Sequence, residues 1–238
     1  MHAAFFTYAK DALPLVQSVS AFRDAGGENV AIFDDAANPL PNGFIKEIAP
    51  DLYQQTTFER RGNLIGWPCV FGILDCLERA CVEFGSHGIL KIDSDTLVFD
   101  FGWVDINAPM TGFHITGEPY IRGMAYHLAL TAIWDIRREL RTGYRIESAK
   151  VEEDTTITTE ALALYGASVR RINWNEGLAG GWDYSGKTPV EKFLACDVVT
   201  FGNRRRITGC GCENEKRERM ALEMAKFRKL LTPECRQD

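Results

Sequence analysis

The first 35 residues alternate between two short apolar runs and one helical pattern. Residues 3–8 are apolar and β-prone, and residues 29–33 form a second run that ends at Asp34 and Asp35. Between them, residues 11–24 repeat apolar side chains at helical spacing. A strand, a helix and a strand in so short a span indicate a parallel pair, because parallel strands need a crossover connection. The pattern therefore predicts an α/β protein with a mostly parallel central sheet flanked by helices.

Composition agrees with an ordinary globular chain. The 238 residues are 45% hydrophobic and 25% charged, which is enough apolar material for one large domain over 1–238. The N-terminus has no basic region before an apolar core of signal length, and no stretch approaches about 18 uninterrupted apolar residues. We therefore expect a cytoplasmic protein without a membrane span. Seven cysteines, an odd number, imply no disulfide framework.

The remaining elements follow from apolar periodicity and from turn residues. We predict strands at 52–58, 88–98, 112–117, 168–172 and 196–201, and helices at 43–48, 64–84, 123–141, 155–165 and 213–231. The last of these helices is amphipathic, with Met220 and Met224 on its apolar stripe.

The predicted strand near the middle of the chain runs into two carboxylates, Asp93 and Asp95. In an extended backbone, residues two apart face the same side, so these carboxylates can converge on one object. Mg²⁺ or Mn²⁺ is commonly held by one or two carboxylates, with substrate phosphates completing its shell. A solvated turn is the alternative interpretation of so short a motif. The predicted position at the carboxyl edge of a parallel sheet, where α/β folds bind ligands, favours the metal site.

A second acidic group, Glu153 and Asp154, precedes the predicted helix at 155–165. Acidic side chains are favoured at helix N-termini by the helix dipole and as caps, which is a sufficient explanation by itself. Placement near a ligand site would instead make them candidates for proton transfer.

Charge is unevenly distributed along the chain. The net charge is −6, yet residues 203–229 contain nine Lys or Arg and four acidic residues, a local excess of +5. This segment could meet phosphate, or it could be a solvated helix face. Residues 177–187, which include Trp182, are rich in glycine and aromatic side chains and are a candidate lid.

The order of these features resembles that of glycosyltransferases with the GT-A fold. The resemblance spans about residues 3–202 and depends on the N-terminal β-α-β unit, Asp93-Ser94-Asp95 and Glu153-Asp154. It implies a Rossmann-like GT-A domain with a nucleotide-binding half at 1–98, an acceptor half at 99–209 and a C-terminal helix at 210–238. It also implies transfer of a sugar from a nucleotide-sugar donor, with UDP-sugars favoured, to an acceptor that could bear phosphate.

The resemblance also implies roles for individual residues. Asp95 would bind a divalent cation, Mn²⁺ or Mg²⁺, and Asp93 would share the metal or contact the ribose. Further contacts to the nucleotide or diphosphate would come from Thr7, Tyr8, Lys10, Asp34, Asp35, Arg61, Asn63 and Arg204. Inverting GT-A enzymes draw a catalytic base from the Glu-Asp motif, so Asp154 is the first choice, Glu153 the second, and inversion is favoured. His114, His127 and Trp182 are candidate acceptor contacts, although each histidine could equally be a buried structural residue.

Two other classes compete with this interpretation. Haloacid-dehalogenase-like phosphatases also have a strand running into Asp-x-Asp, but their motif lies near the N-terminus, and Thr96 here follows Asp95 without the expected spacer. Sugar-nucleotide pyrophosphorylases place a glycine-rich loop after the first strand, and residues 7–10 contain no glycine. A nucleotide-sugar binding protein without turnover is the non-enzymatic alternative.

Overall fold

The computed structural model describes residues 1–58, 67–114, 117–142, 153–173, 182–183, 190–193, 198–201, 218 and 220–225. The strands in these parts are β1 (Ala3–Thr7), β2 (Val30–Asp35), β3 (Leu52–Thr56), β4 (Gly88–Asp93), β5 (Thr96–Val98), β6 (Met110–His114), β7 (Ile121–Ala129), β8 (Arg170–Asn173), β9 (Trp182–Asp183), β10 (Val190–Phe193) and β11 (Val198–Phe201). The helices are α1 (Ala12–Asp24), α2 (Asn42–Ile48), α3 (Trp67–Glu83), α4 (Leu130–Thr142) and α5 (Glu153–Tyr165).

Seven strands form the main sheet, in the order β3-β2-β1-β4-β7-β6-β8. The first four strands of the chain are parallel, whereas β7 is antiparallel to both β4 and β6. The chain moves outward from β1 to β3 and then returns to place β4 on the other side of β1. The strand order therefore reverses between β1 and β4, which is where open α/β sheets bind ligands, at the carboxyl ends of the strands.

Helices cover both faces of this sheet, which explains why its strands are continuously apolar. Alternate residues of β1 point to opposite faces: Phe6 stacks on Phe33 on the side of α3, α4 and α5, while Phe5 packs against Phe22 of α1. Every residue of β1 and β2 is buried. The predicted α/β class and mostly parallel central sheet are confirmed.

The structure corrects the sequence prediction for residues 123–141. The pattern predicted a single helix, but β7 occupies Ile121–Ala129 and α4 begins only at Leu130. Strand β7 lies between β4 and β6, so helices or loops bury both of its faces and it shows no alternation of apolar and polar residues. Such a run cannot be told from a buried helix by periodicity alone.

The predicted strand at 88–98 is two strands that belong to different sheets. β4 ends at Asp93, and β5 starts at Thr96 as the edge of a small antiparallel sheet with the order β5-β11-β10-β9. Behind this sheet, Met220 and Met224 are buried with Ala21, Leu97 and Phe99. Residues 220–225 are helical, in agreement with part of the predicted helix at 213–231, whose other residues apart from Glu218 lie outside the described chain.

None of the helices in the described ranges is long and apolar enough to cross a membrane.

Candidate active site

A two-residue turn at the carboxyl end of β4 carries the Asp-x-Asp motif. Asp93 is the last residue of β4, and Ser94 and Asp95 form the turn that leads into β5. The Ser18 hydroxyl of α1 holds this turn, with oxygen-to-oxygen distances of 2.9 Å to the Ser94 carbonyl and 2.6 Å to the Thr96 carbonyl. The two carboxylates therefore project from a turn whose backbone is fixed against the first helix.

A buried lysine lies directly behind Asp93. The Lys91 side chain is 1% exposed, and its ammonium nitrogen lies 2.6 Å from Asp93 Oδ1, 2.7 Å from the Gly123 carbonyl oxygen and 2.8 Å from Asp154 Oδ2. Lys91 and Asp93 are two residues apart on one strand, so they face the same side. Lys91 thus joins the two acidic motifs, which are far apart in sequence.

Asp154 is the second residue of α5, and both of its carboxylate oxygens have partners. Oδ2 accepts a hydrogen bond from Lys91, and Oδ1 accepts one from the Tyr126 hydroxyl at 3.2 Å. Its approach requires a glycine on β7, since a Cβ atom at Gly123 would come within 2.4–2.6 Å of the Asp154 side chain. Tyr126 also places its ring 5.5 Å from the Lys91 nitrogen, within range of a cation–π contact.

Among the described residues, the carboxylates of Asp93, Asp95 and Asp154 lie near the ammonium of Lys91. Burial raises the pKa of Asp93, and the charges of Asp154 and Asp95 raise it further, against the opposing effect of Lys91. Burial by itself would lower the pKa of Lys91, but Asp154 and Asp93 raise it above its ordinary value. Lys91 is therefore charged at neutral pH.

The carboxylate oxygens of Asp93 and Asp95 would fit a divalent cation that is shared with a substrate. Carboxylate oxygens are the ligands that Mg²⁺ and Mn²⁺ prefer. Within the described part of the chain, no three His, Cys, Asp or Glu side chains form a group that could hold a metal by themselves. Asp93 and Asp95 therefore suit an ion whose remaining ligands come from phosphate oxygens and water.

Two predicted nucleotide contacts, Asp34 and Asp35 at the end of β2, are enclosed. Asp34 is 0% exposed, and its Oδ2 accepts hydrogen bonds from the Leu40 amide and the Tyr53 hydroxyl, both at 2.8 Å. Asp35 is 3% exposed and accepts a hydrogen bond from the Ala37 amide at 3.0 Å. Both carboxylates therefore bind the following loop, while Asp34 Oδ1 is buried without a hydrogen-bond partner among the described residues.

The residues after β1 reach the edge where the strand order reverses. Thr7 ends β1 beside Asp34 of β2 and is fully buried, whereas Tyr8 is partly exposed. Residues 9–11 then form a single 3₁₀ turn before α1. Tyr8 is thus better placed than Thr7 for the predicted nucleotide contact.

The two histidines among the candidate acceptor contacts lie at different positions in the sheet. His114 ends β6 at the same edge as Asp93, and its Nε2 lies 2.9 Å from the Glu118 carbonyl oxygen. His127 is 3% exposed, pairs with Leu90 in the middle of the sheet and directs its ring toward Gly88 at the opposite end of β4. The prediction that His127 contacts an acceptor is therefore corrected, and its role is structural.

The remaining predicted site residues fall outside what the structure describes. These are Arg61, Asn63 and Arg204, together with the side chains of Lys10, Glu153 and Trp182. Their predicted contacts remain predictions.

Sequence reasoning missed Lys91 and Gly123. A signal for Lys91 was present, because a lysine in the middle of an apolar strand that faces the same side as Asp93 needs a buried partner. No comparable signal marks Gly123, whose importance depends on the position of α5.

Comparisons with known proteins place this geometry in a known fold. No family model matches the chain, and no curated protein matches its sequence. Two crystal structures of LgtC, one of an active site mutant and one of the galactosyltransferase with donor and acceptor sugar analogs, match with a TM-score of 0.56 at 14% and 13% identity. Each match covers 95% of this chain and 96% of LgtC.

A glycosyltransferase involved in the glycosylation of the major capsid of PBCV-1 matches with a TM-score of 0.52 at 11% identity, over 92% of this chain and 98% of that one. These similarities extend over nearly the whole of each chain, and at such low identity they concern the fold. The strand order, the reversal between β1 and β4 and these matches together show that the chain has the GT-A glycosyltransferase fold.

Proposed function

We propose that the protein is a glycosyltransferase that uses a nucleotide-sugar donor and a divalent cation. The observation that carries this proposal is the single ammonium of Lys91, which lies within 2.8 Å of a carboxylate from each acidic motif, at the edge where a GT-A sheet reverses its order. One motif is suited to the donor and the other to the acceptor, and a transferase needs both in one place.

On the donor side, Asp93 and Asp95 would hold Mn²⁺ or Mg²⁺ together with the diphosphate. When bound there, the ion would neutralise the negative charge that develops on the departing nucleoside diphosphate. The oxygen of Asp93 that does not contact Lys91 accepts no hydrogen bond from any described residue, and the side chain is 38% exposed. Asp93 thus has one oxygen for the protein and one for a ligand.

On the acceptor side, Asp154 is the proposed catalytic base of an inverting reaction. Lys91 holds Oδ2 of this carboxylate at 2.8 Å, and a base must lie within hydrogen-bond reach of the proton that it takes. A carboxylate oxygen can accept more than one hydrogen bond, so Oδ1 could receive an acceptor hydroxyl beside or in place of Tyr126. We propose that the acceptor proton passes to Asp154 Oδ1 as the acceptor oxygen attacks the sugar carbon.

The donor class and the acceptor class follow from weaker features. A UDP-sugar is the proposed donor, by similarity with the GT-A family. The basic excess of +5 in residues 203–229 supports an acceptor that bears phosphate. Charge reversal at Arg204, Arg205 and Arg206 should then weaken acceptor binding and reduce its dependence on salt, and unchanged salt dependence would remove this part of the proposal.

The test is release of free nucleoside diphosphate from a panel of nucleotide sugars, with Mn²⁺ or with EDTA. Release that requires Mn²⁺ and increases with a suitable acceptor is expected. Phosphate release from phosphomonoesters would instead indicate a phosphatase. Nucleotide-sugar binding without turnover on any acceptor of the panel would indicate a binding protein.

A further inference from the structure

The ammonium of Lys91 has no capacity left for a substrate. An ammonium has three N–H donors, and three acceptor oxygens lie within 2.8 Å of it, from Asp93, Gly123 and Asp154. The side chain is 1% exposed, so no ligand can reach the nitrogen without displacing one of these partners. Any effect of Lys91 on a reaction must therefore pass through the carboxylates that it holds.

We propose that Lys91 is a positioning residue that fixes the donor carboxylate Asp93 and the acceptor carboxylate Asp154 as one rigid unit. This inference rests on the proposed function. Lys91 binds one oxygen of each carboxylate, Asp93 Oδ1 and Asp154 Oδ2, and leaves to the proposed ligands Asp93 Oδ2 and, beside the Tyr126 hydroxyl, Asp154 Oδ1. The separation between the donor site and the acceptor site is then set by one nitrogen atom.

The surroundings of Lys91 support positioning over simple charge compensation. Three separate elements meet at the nitrogen, since Asp93 comes from β4, Gly123 from β7 and Asp154 from α5. Gly123 contributes its carbonyl oxygen and, by lacking a Cβ atom, admits the Asp154 side chain. Burying an ammonium is costly unless its hydrogen bonds are complete, and here all three have short distances.

Lys91→Met tests the donor half of this unit. Residues that hold metal-ligating groups typically contribute about 10- to 100-fold to metal affinity or activity. We therefore expect Lys91→Met to weaken Mn²⁺-dependent UDP binding by about tenfold or more, measured by isothermal titration. The matched control is Lys46→Met, which removes a lysine from the exposed side of α2 and should leave the affinity unchanged.

Gly123→Ala tests the acceptor half, because its Cβ would displace Asp154 while Lys91 and Asp93 keep their charges. We expect turnover of the transfer reaction to fall by about tenfold or more, with little change in Mn²⁺-dependent UDP affinity. A role confined to folding would not produce this split between affinity and turnover at a temperature well below unfolding.

The cycle of Lys91→Met, Asp154→Asn and the double variant tests whether the two residues act together. If they form one unit, the double variant should turn over no more slowly than the less active of the two single variants. The losses caused by substituting residues that act as a unit do not add up. Independent roles would multiply the two losses and overturn the inference. The double variant also removes the buried charge together with one partner, so it serves if Lys91→Met alone does not fold.

Failure of this inference is distinguishable from failure of the proposed function. A wild-type protein that binds UDP with Mn²⁺ and transfers sugar, while Lys91→Met does both equally well, would overturn the positioning role alone. A folded wild-type protein that neither binds UDP nor turns over any nucleotide sugar would overturn both.

Discussion

Two acidic pairs lie at the carboxyl edge of the same sheet, one on each side of β1. Asp34 and Asp35 end β2, and Asp93 and Asp95 follow β4. The first pair is 0% and 3% exposed and accepts hydrogen bonds from its own loop and from Tyr53. In the second pair, Asp93 is 38% exposed and contacts a buried lysine.

The difference shows that position at the edge of a parallel sheet does not by itself make a carboxylate a ligand. Asp34 Oδ2 and Asp35 accept hydrogen bonds from neutral donors within 20 residues of themselves, while Asp34 Oδ1 is buried without a partner among the described residues. Asp93 shares a cation with Asp154, a residue from a distant part of the chain, and retains an oxygen for a further partner. The partners of the two pairs therefore differ, and the proposed function assigns ligand binding to the second pair.

The largest effect is expected at the second pair. Asp95→Ala should abolish Mn²⁺-dependent UDP binding and sugar transfer, because it removes one of the two proposed metal carboxylates. Asp34→Ala should retain both activities. The measurement is UDP binding with and without Mn²⁺ for the two variants. Loss of UDP binding in folded Asp34→Ala would break the comparison and restore the predicted nucleotide contact.

The next largest effect is expected on turnover, at Asp154. This residue shares Lys91 with Asp93 of the second pair and is the proposed catalytic base. Asp154→Asn should cut turnover by about 100-fold, the contribution typical of a general base, while Mn²⁺-dependent UDP binding changes little. The amide retains an oxygen that can accept from Lys91, so the fold should persist. Initial rates and UDP titration on one preparation provide the check. Full turnover in Asp154→Asn would show that the base lies elsewhere.

A third effect is expected on the pH dependence of stability. It concerns His127, whose ring lies toward Gly88 at the opposite end of β4 from Asp93. Burial lowers the pKa of His127 to about 4, with Asp105 opposing this, and its Nδ1 has no hydrogen-bond partner among the described residues. Protonation therefore favours the unfolded chain, so stability present above pH 6.5 is lost as pH falls toward 4, up to about 3 kcal/mol.

Chemical denaturation at pH 7 and pH 5 tests this expectation. His127→Gln should flatten the loss of unfolding free energy between these two values, whereas His87→Gln, at an exposed position, should leave it unchanged. An unaltered pH dependence in His127→Gln would assign the acid sensitivity to other groups.

The smallest effect is expected on the stability of Asp34→Ala, the variant whose UDP binding should be retained. Asp34→Ala removes the acceptor of two hydrogen bonds and leaves the Leu40 amide without its partner, so the free energy of unfolding should fall by about 1–3 kcal/mol. Tyr53→Phe, which removes only the hydroxyl, should cost less. Equal losses in the two variants would contradict the assignment of the Leu40 bond as the main contribution.

Much of the donor side could be predicted from sequence because its signals are local. The β-α-β unit, the approach of a strand to Asp93 and the edge position of that residue all follow from short-range periodicity and from the rules of parallel sheets. The acceptor side depends on β7, which pairs with β4 and brings Gly123 and Tyr126 to Lys91. Its buried run resembles a helix in sequence, so the pattern alone could not provide that contact.

The same limit explains why the sequence could not distinguish the positions of His114 and His127. His114 and His127 both follow the Asp-x-Asp motif, and nothing local distinguishes them. Strand direction does, because β7 runs antiparallel to β4 and carries His127 away from the carboxyl edge, while β6 runs the other way and ends at His114. Direction is decided by long-range pairing, which periodicity does not encode.

The turn that carries Asp95 also sets an order of assembly during synthesis. Ser18, made early, binds the carbonyl of Ser94 in the turn and that of Thr96 at the start of β5, whereas the strand partner of β5 among the described residues is β11, near residue 200. Because chains emerge from the ribosome N-terminus first, the Asp95 side of the turn gains its strand partner only when about four fifths of the protein has been made. A chain that ends before β11 would therefore lack the strand partner of β5 beside the Asp95 turn.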